Sequence, residues 1–222
     1  MPRSIVFGNG NLLAALDQKN MLCDLYFPYV GMEGQIAYKH KHRIGIFVDG
    51  KFSWLFDDGW EHKINYFMET LVSNSSVKNE NLKLELQFND FVYPSADAFV
   101  RKIVIKNQAD YDREIKMFFS QDFHIYGDKQ QDTTFYEPES KAVVHYRKRR
   151  YFLIGGLAGH LGVDSYSTGK SEYNGLEGTW RDAEDGRLER NPIDQGSVDS
   201  TVEFDLHIKA NTERTLYFWI CA

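Results

Sequence analysis

The 222-residue chain is 42% hydrophobic and 15% aromatic and carries a formal net charge of −6. Such a length suits one large all-β domain or two small domains with a sizeable core, and the negative balance argues against non-specific nucleic-acid binding, which needs a basic footprint. No run of about 18 apolar residues is present, so no membrane span is expected.

The opening, MPRSIVFGNGN, has no apolar signal core, which makes a cytoplasmic location the expectation. Cys23 and Cys221, at opposite ends of the chain, read as two free thiols. A short apolar run, 4–7, breaks at Gly8-Asn9-Gly10. Two further runs, 12–16 and 21–27, flank Asp17-Gln18-Lys19-Asn20, residues that favour a hairpin turn. The second run ends in Tyr26-Phe27-Pro28-Tyr29. Proline stops strand pairing, and the three aromatics are either a core plug or a contact surface. His40 and His42 share one face of a strand at a metal-ligand spacing. With no third ligand and three cations close by, a solvated edge is the expectation, and no metal. Runs 44–48 and 52–56 flank Asp49-Gly50, a strong hairpin signal. The stretch 60–71 continues as a strand pair or a bent strand.

Leu82, Leu84, Leu86 and Phe88 alternate with polar residues, which marks a half-buried strand. In 99–105 the apolar phase slips between Val100 and Ile103, which suggests a β-bulge. A long strand follows over 114–125. Three short strands, 133–136, 142–146 and 151–154, come next, with the basic turn Arg147-Lys148-Arg149-Arg150 read as a solvated hairpin tip. Gly155-Gly156 and 159–162 loosen the chain; no helix follows to make a phosphate cradle. Val202, Phe204, Leu206 and Ile208 restore period two. The last strand, around Leu216, Phe218 and Ile220, is apolar on both faces and therefore central or covered. No helix is expected. Roughly a dozen to sixteen strands point to two large antiparallel sheets packed face to face.

The segment 178–200, GTWRDAEDGRLERNPIDQGSVDS, has neither strand nor helix period. Six of its residues are acidic: Asp182, Glu184, Asp185, Glu189, Asp194 and Asp199. A run this long without pattern is functional or disordered, and a Trp beside an Arg argues for an ordered loop rather than disorder. The bland alternative is a surface loop with solvated acids. No nucleophile elbow, zinc or phosphate-loop motif occurs. Asp182, Glu184 and Asp185 crowd four positions, a spacing that does not by itself oppose two carboxyls across a sugar. The calcium-loop pattern also fails, with Asp185 and Gly186 one position early. No cofactor is expected.

Gly8-Asn9-Gly10-Asn11 together with Asp24-Leu25-Tyr26-Phe27-Pro28-Tyr29-Val30-Gly31 resembles the opening of prokaryotic glycoside hydrolase family 15 proteins, and so does Arg43-Ile44-Gly45-Ile46-Phe47-Val48-Asp49-Gly50. Thr179-Trp180-Arg181-Asp182-Ala183-Glu184-Asp185-Gly186, with Asn191-Pro192-Ile193 and Gly196-Ser197-Val198-Asp199-Ser200, resembles the glucoamylase-type members. The resemblance implies an all-β antiparallel super-sandwich of galactose mutarotase-like architecture, 1–222, as the N-terminal domain of a two-domain parent. Its partner would be an (α/α)6 barrel that hydrolyses α-glucosidic bonds with inversion and carries both catalytic glutamates. This chain would then hold no catalytic residue. Tyr26, Phe27, Tyr29, Trp180, Arg181, Asp182, Glu184 and Asp185 would dock on the barrel or rim the site of an α-glucan oligosaccharide. Two other readings stay open: a stand-alone carbohydrate-binding module, and a mutarotase-type enzyme using a His (His124, His145 or His207) and an acid in one cleft.

Overall fold

The computed structural model describes residues 3–36, 42–128, 131–171 and 178–222. The first strands in chain order are β1 (Ile5–Gly8), β2 (Leu13–Leu16), β3 (Leu22–Tyr26), β4 (Arg43–Val48), β5 (Lys51–Trp54), β6 (Glu61–Lys63) and β7 (Ser75–Asn79). Then come β8 (Leu84–Val92), β9 (Ala98–Asn107), β10 (Arg113–Gln121), β11 (Asp132–Glu137), β12 (Ala142–Arg147) and β13 (Arg150–Leu157). The last are β14 (Ser165–Lys170), β15 (Ile193–Gly196), β16 (Val198–Ile208) and β17 (Glu213–Cys221). They form an antiparallel three-stranded sheet β1-β2-β3, a five-stranded sheet β14-β16-β10-β4-β5 and a nine-stranded sheet β15-β11-β12-β13-β17-β9-β8-β7-β6. The all-β sandwich read from the sequence is therefore the fold. Among the described residues no helix is long and apolar enough to cross a membrane.

Period two builds the core. Ile115, Met117 and Phe119 of β10 and Val202, Phe204, Leu206 and Ile208 of β16 face inward, against Leu216, Phe218 and Ile220 of β17. The two large sheets meet where Phe119 stacks on Phe218, with ring centroids 4.3 Å apart. At the hairpin between β4 and β5, Asp49 and Gly50 both take positive φ, +52° and +72°. That geometry gives a two-residue hairpin the twist of its strands. The last strand lies between β13 and β9, central as its two apolar faces required.

Several expectations are corrected. The phase slip in β9 is not a bulge: its register with β8 and β17 is unbroken. The position between Phe99 and Ile103 points inward as Arg101, 3% exposed. Its guanidinium holds Asp90 at 2.7 and 3.2 Å and the carbonyl of Asn20 at 2.9 Å. A paired ion can occupy a core position that an unpaired one cannot. The register shift in the sheets falls instead at Ala15/Leu16.

Gly155 and Gly156 do not loosen the chain; they are strand residues of β13. A Cβ on Gly155 would lie 2.9 Å from the Trp219 indole nitrogen, and one on Gly156 would lie 2.3 Å from Phe204. The two glycines thus admit a large ring on each face of the sheet.

His42 is buried rather than on a solvated edge; His40 lies outside the described residues. Helical structure does occur: the turn α1 (Thr179–Asp182), a 3-10 turn Ala183–Asp185 directly after it, and another at Ile125–Gly127; the run expected as one long strand to 125 ends at Gln121. The 178–200 segment also contains β15 and the start of β16, which takes the strand count among the described residues to seventeen.

Candidate docking and ligand surface

The segment 178–190 lies across the outer face of the five-stranded sheet. Outward residues of that sheet, Phe47, Phe52, Trp54 and Phe118, form a second apolar cluster, which Ala183, Leu188 and Trp180 complete. Four polar ties fix the segment there. The Thr179 amide donates to both Asp199 carboxylate oxygens, at 3.1 and 3.0 Å, at the positive end of α1. The Thr179 hydroxyl meets that of Thr201 at 3.0 Å. The Lys116 ammonium donates to the Gly186 carbonyl at 3.0 Å and to Glu203 at 2.7 Å. The Trp54 indole donates to Glu184 at 3.0 Å. Farther on, the Asn191 amide donates to the Thr168 carbonyl at 2.7 Å and its own carbonyl accepts from Thr168, so Asn191 is pinned to β14.

Each acid of the turn has a bond that orients it. Asp182 accepts from the Glu189 amide at 2.8 Å, Glu184 from Arg181 as well as Trp54, and Asp185 from the Arg187 amide at 2.9 Å. Burial raises the Asp182 carboxyl above its ordinary range, with the Glu189 amide pulling it back. Burial also raises Glu203 beneath the loop, against the pull of Lys116. Trp180 is half-buried: Arg43 and Arg181 lie over its ring, 4.4 and 4.2 Å from the centroid, and Trp54 meets it edge-on at 5.9 Å. Its π surface is therefore already engaged with cations. Asp182, Glu184, Arg181 and Lys170 line an open cleft of about 850 Å³ against β14. The arrangement can offer hydroxyl-binding carboxylates and a guanidinium to whatever lies against it.

Tyr26, Phe27 and Tyr29 belong to a different place, at the end of the three-stranded sheet. Tyr26 bridges Gly34, and Phe27 packs edge-on against Phe152 of β13 at 6.2 Å. After a cis Phe27–Pro28 bond the chain turns, leaving Tyr29 58% and Met32 84% exposed. So Phe27 is the plug and Tyr29 the surface residue. The basic turn after β12 is not merely a solvated tip. Arg147 donates to the carbonyls of Ile125 and Asp128, and Arg150 makes a bidentate pair with Glu33, at 3.0 and 3.1 Å, that ties the turn to the Tyr29 corner.

Residues that the sequence did not mark as site residues complete this surface: Trp54, Lys116 and Glu203, with Arg43 and Phe47, which the sequence marked only within the motif 43–50. The signal for Trp54 was present, since Phe52 and Trp54 lie two apart on one face of β5. The GNGN opening is structural. The Asn9 amide donates to the carbonyls of Tyr93 and Ala96, and its oxygen accepts from Asn11 and Leu12, locking the turn between β8 and β9. Of the mutarotase candidates, His145 is wholly buried and meets the Ser200 hydroxyl at 2.7 Å, whereas His207 lies on the outer face, its side chain 61% exposed. His124 lies 4.0 Å from Asp122.

No family model matches the chain. Over 214 residues, 96% of its length, it is 27% identical to an uncharacterized glycosyl hydrolase of Methanocaldococcus jannaschii, of which it spans 32%. Its fold superposes on a bacterial glucoamylase complexed with acarbose with a TM-score of 0.75 at 12% identity, covering all of this chain and 32% of the other. A protein assigned as a kojibiose phosphorylase, from the human microbiome, gives 0.57 at 13% identity, over 97% of this chain and 29% of that one. The chain thus spans about a third of the proteins it matches, and its β-sandwich is of the kind found within glycoside-hydrolase-related proteins.

Proposed function

We propose that the chain is the non-catalytic N-terminal β-sandwich domain of an inverting α-glucan exo-hydrolase of the glucoamylase type in glycoside hydrolase family 15. In this reading it docks on an (α/α)6 catalytic barrel and shapes that barrel's cleft. The observation that carries it is the braced acidic turn. Asp182, Glu184 and Asp185 are oriented by hydrogen bonds rather than left free, yet they border an open cleft. Inversion needs two carboxyls roughly 6.5–9.5 Å apart with a water between them. Three acids already tied to amides and an indole suit a wall of such a site better than its two working groups. The relation to a longer protein named as a glycosyl hydrolase, and the likeness to a glucoamylase fold, support the same reading.

The test is to assay maltotriose hydrolysis by the chain alone, by the barrel expressed from the reading frame after Ala222, and by the two together. The expected result is turnover only with the barrel, raised by adding the chain. Glu184→Gln should lower the kcat/KM of the pair about tenfold with little change in Tm, a loss of roughly 1.4 kcal/mol of transition-state stabilisation. Turnover by the chain alone, or no effect of adding it, would sink the reading.

A further inference from the structure

Between the two large sheets, near the start of β4, three polar side chains come together around a small cavity. His42 directly precedes β4, Gln121 closes β10 and Arg101 lies on β9; they are 6%, 0% and 3% exposed. Phe99, Phe119 and Ile220 line the cavity with them, and its volume is about 10 Å³. That is the space one water molecule needs, and nothing larger fits. The backbone sets His42 there, because its amide donates to the Leu22 carbonyl at 3.0 Å. Its ring meets Phe123 edge-on. Among the described residues neither ring nitrogen of His42 has a hydrogen-bond partner. His145, against the same phenyl ring, differs: one of its nitrogens meets the Ser200 hydroxyl at 2.7 Å. A neutral imidazole carries one N–H and one bare nitrogen. Burying both without a partner carries a desolvation cost that an aliphatic side chain at the same position would not.

We propose that this cavity binds one structural water molecule, held by a His42 ring nitrogen, Arg101 and Gln121. Each partner has hydrogen-bonding capacity left. Arg101 commits Nε and Nη2 to Asp90 and the Asn20 carbonyl, which leaves Nη1 to donate. Gln121 donates from Nε2 to the Phe119 carbonyl at 2.9 Å, which orients its amide. Its Oε1 accepts from the Ser200 hydroxyl at 3.1 Å and keeps a second lone pair. A water that accepts from Arg101 and donates to Gln121 and to the bare His42 nitrogen makes three hydrogen bonds, the usual number for a buried water. A purely apolar cavity of this size would stay dry, but this one has three polar side chains on its wall. A metal ion does not suit it, because the guanidinium on the same wall is itself a cation with no lone pair to give. The bridge joins the chain entering β4 to both large sheets, since Gln121 belongs to the five-stranded one and Arg101 to the nine-stranded one. The inference is independent of the docking reading above.

The test is a high-resolution crystal structure of the 222-residue chain, joined to oxygen-17 relaxation dispersion of the same chain in solution. The expected density is a single water peak about 2.7–3.2 Å from a His42 ring nitrogen and from Arg101 or Gln121. A cavity without density, a peak out of reach of His42, or a His42 ring bonded directly to a protein group overturns the proposal. In solution, His42→Phe removes both nitrogens and should lower the dispersion amplitude by one long-lived water. An unchanged amplitude from a variant that still unfolds cooperatively overturns it as well. If His42→Phe does not fold, the crystal structure of the unaltered chain decides alone.

Discussion

At the scale of single residues, the ion pair Arg101–Asp90 is buried in the core, and it decides how β9 is read. Arg101 and Asp90 are 3% and 0% exposed, and the guanidinium satisfies both carboxylate oxygens and a backbone carbonyl. Desolvating two charges cancels much of their attraction, so the pair adds little net stability, but breaking it strands a buried charge. Arg101→Met is therefore expected to cost about 3–5 kcal/mol in urea unfolding, and Asp90→Leu with Arg101→Met to recover most of that loss. If the double variant is no better than the single one, the pair is not the reason. A hydropathy pattern cannot separate an inward arginine from a register slip, because both interrupt the same alternation.

At the scale of elements the 178–190 turn is a lid made by packing rather than by its own propensity. A single helical turn is too short to hold itself; apolar contact with Trp54, Phe118 and Phe47 holds it. Gly186 is the critical joint. Its φ is +81°, and a Cβ there would lie 2.9 Å from the Phe47 ring. Gly186→Ala is expected to cost about 1–3 kcal/mol from backbone strain and to expose Arg181 and Arg187 to trypsin. Gly50→Ala, where φ is also positive but nothing stands within 4 Å, should leave the turn resistant. Equal digestion of the two variants would show that the turn is not anchored through Gly186. The sequence marked this turn by its composition and by the Trp beside the Arg. It could not show that the sheet face beneath is apolar for the turn's sake, because that needs β4, β5 and β10 side by side.

At the scale of the whole molecule, stability against pH reports on the buried titrating groups together. His42 meets the Phe123 ring edge-on at 4.9 Å, and His145 lies tilted against the same ring at 4.8 Å. Burial lowers both to about 3. They stay neutral in the fold while the unfolded chain takes up protons below about 6.5, so their contribution is present above that pH and is lost as pH falls toward 3. Burial raises Asp132 to about 7, with the Ile125 amide and Arg147 opposing, and raises Glu203 in the same direction. Those acids act the other way: their contribution is present below about pH 4 and is lost as pH rises through 7. The unfolding free energy is thus expected to be nearly flat from about pH 6.5 to 4.5. Below that it falls by about 1.4 kcal/mol per pH unit for each histidine. His42→Phe should halve the steep part, and a curve that stays flat down to pH 3.5 would refute the neutral buried pair.

The sequence by itself determined the strands, because period two and the turn residues are local: Asp49-Gly50 needs only its own backbone, and Phe204 and Leu206 only their alternation. What covers what was decided by the tertiary structure. The burial of His42, the turn seated on Trp54 and the inward Arg101 all depend on residues distant in the chain meeting across sheets. Burial is a property of that meeting, and no local pattern encodes it.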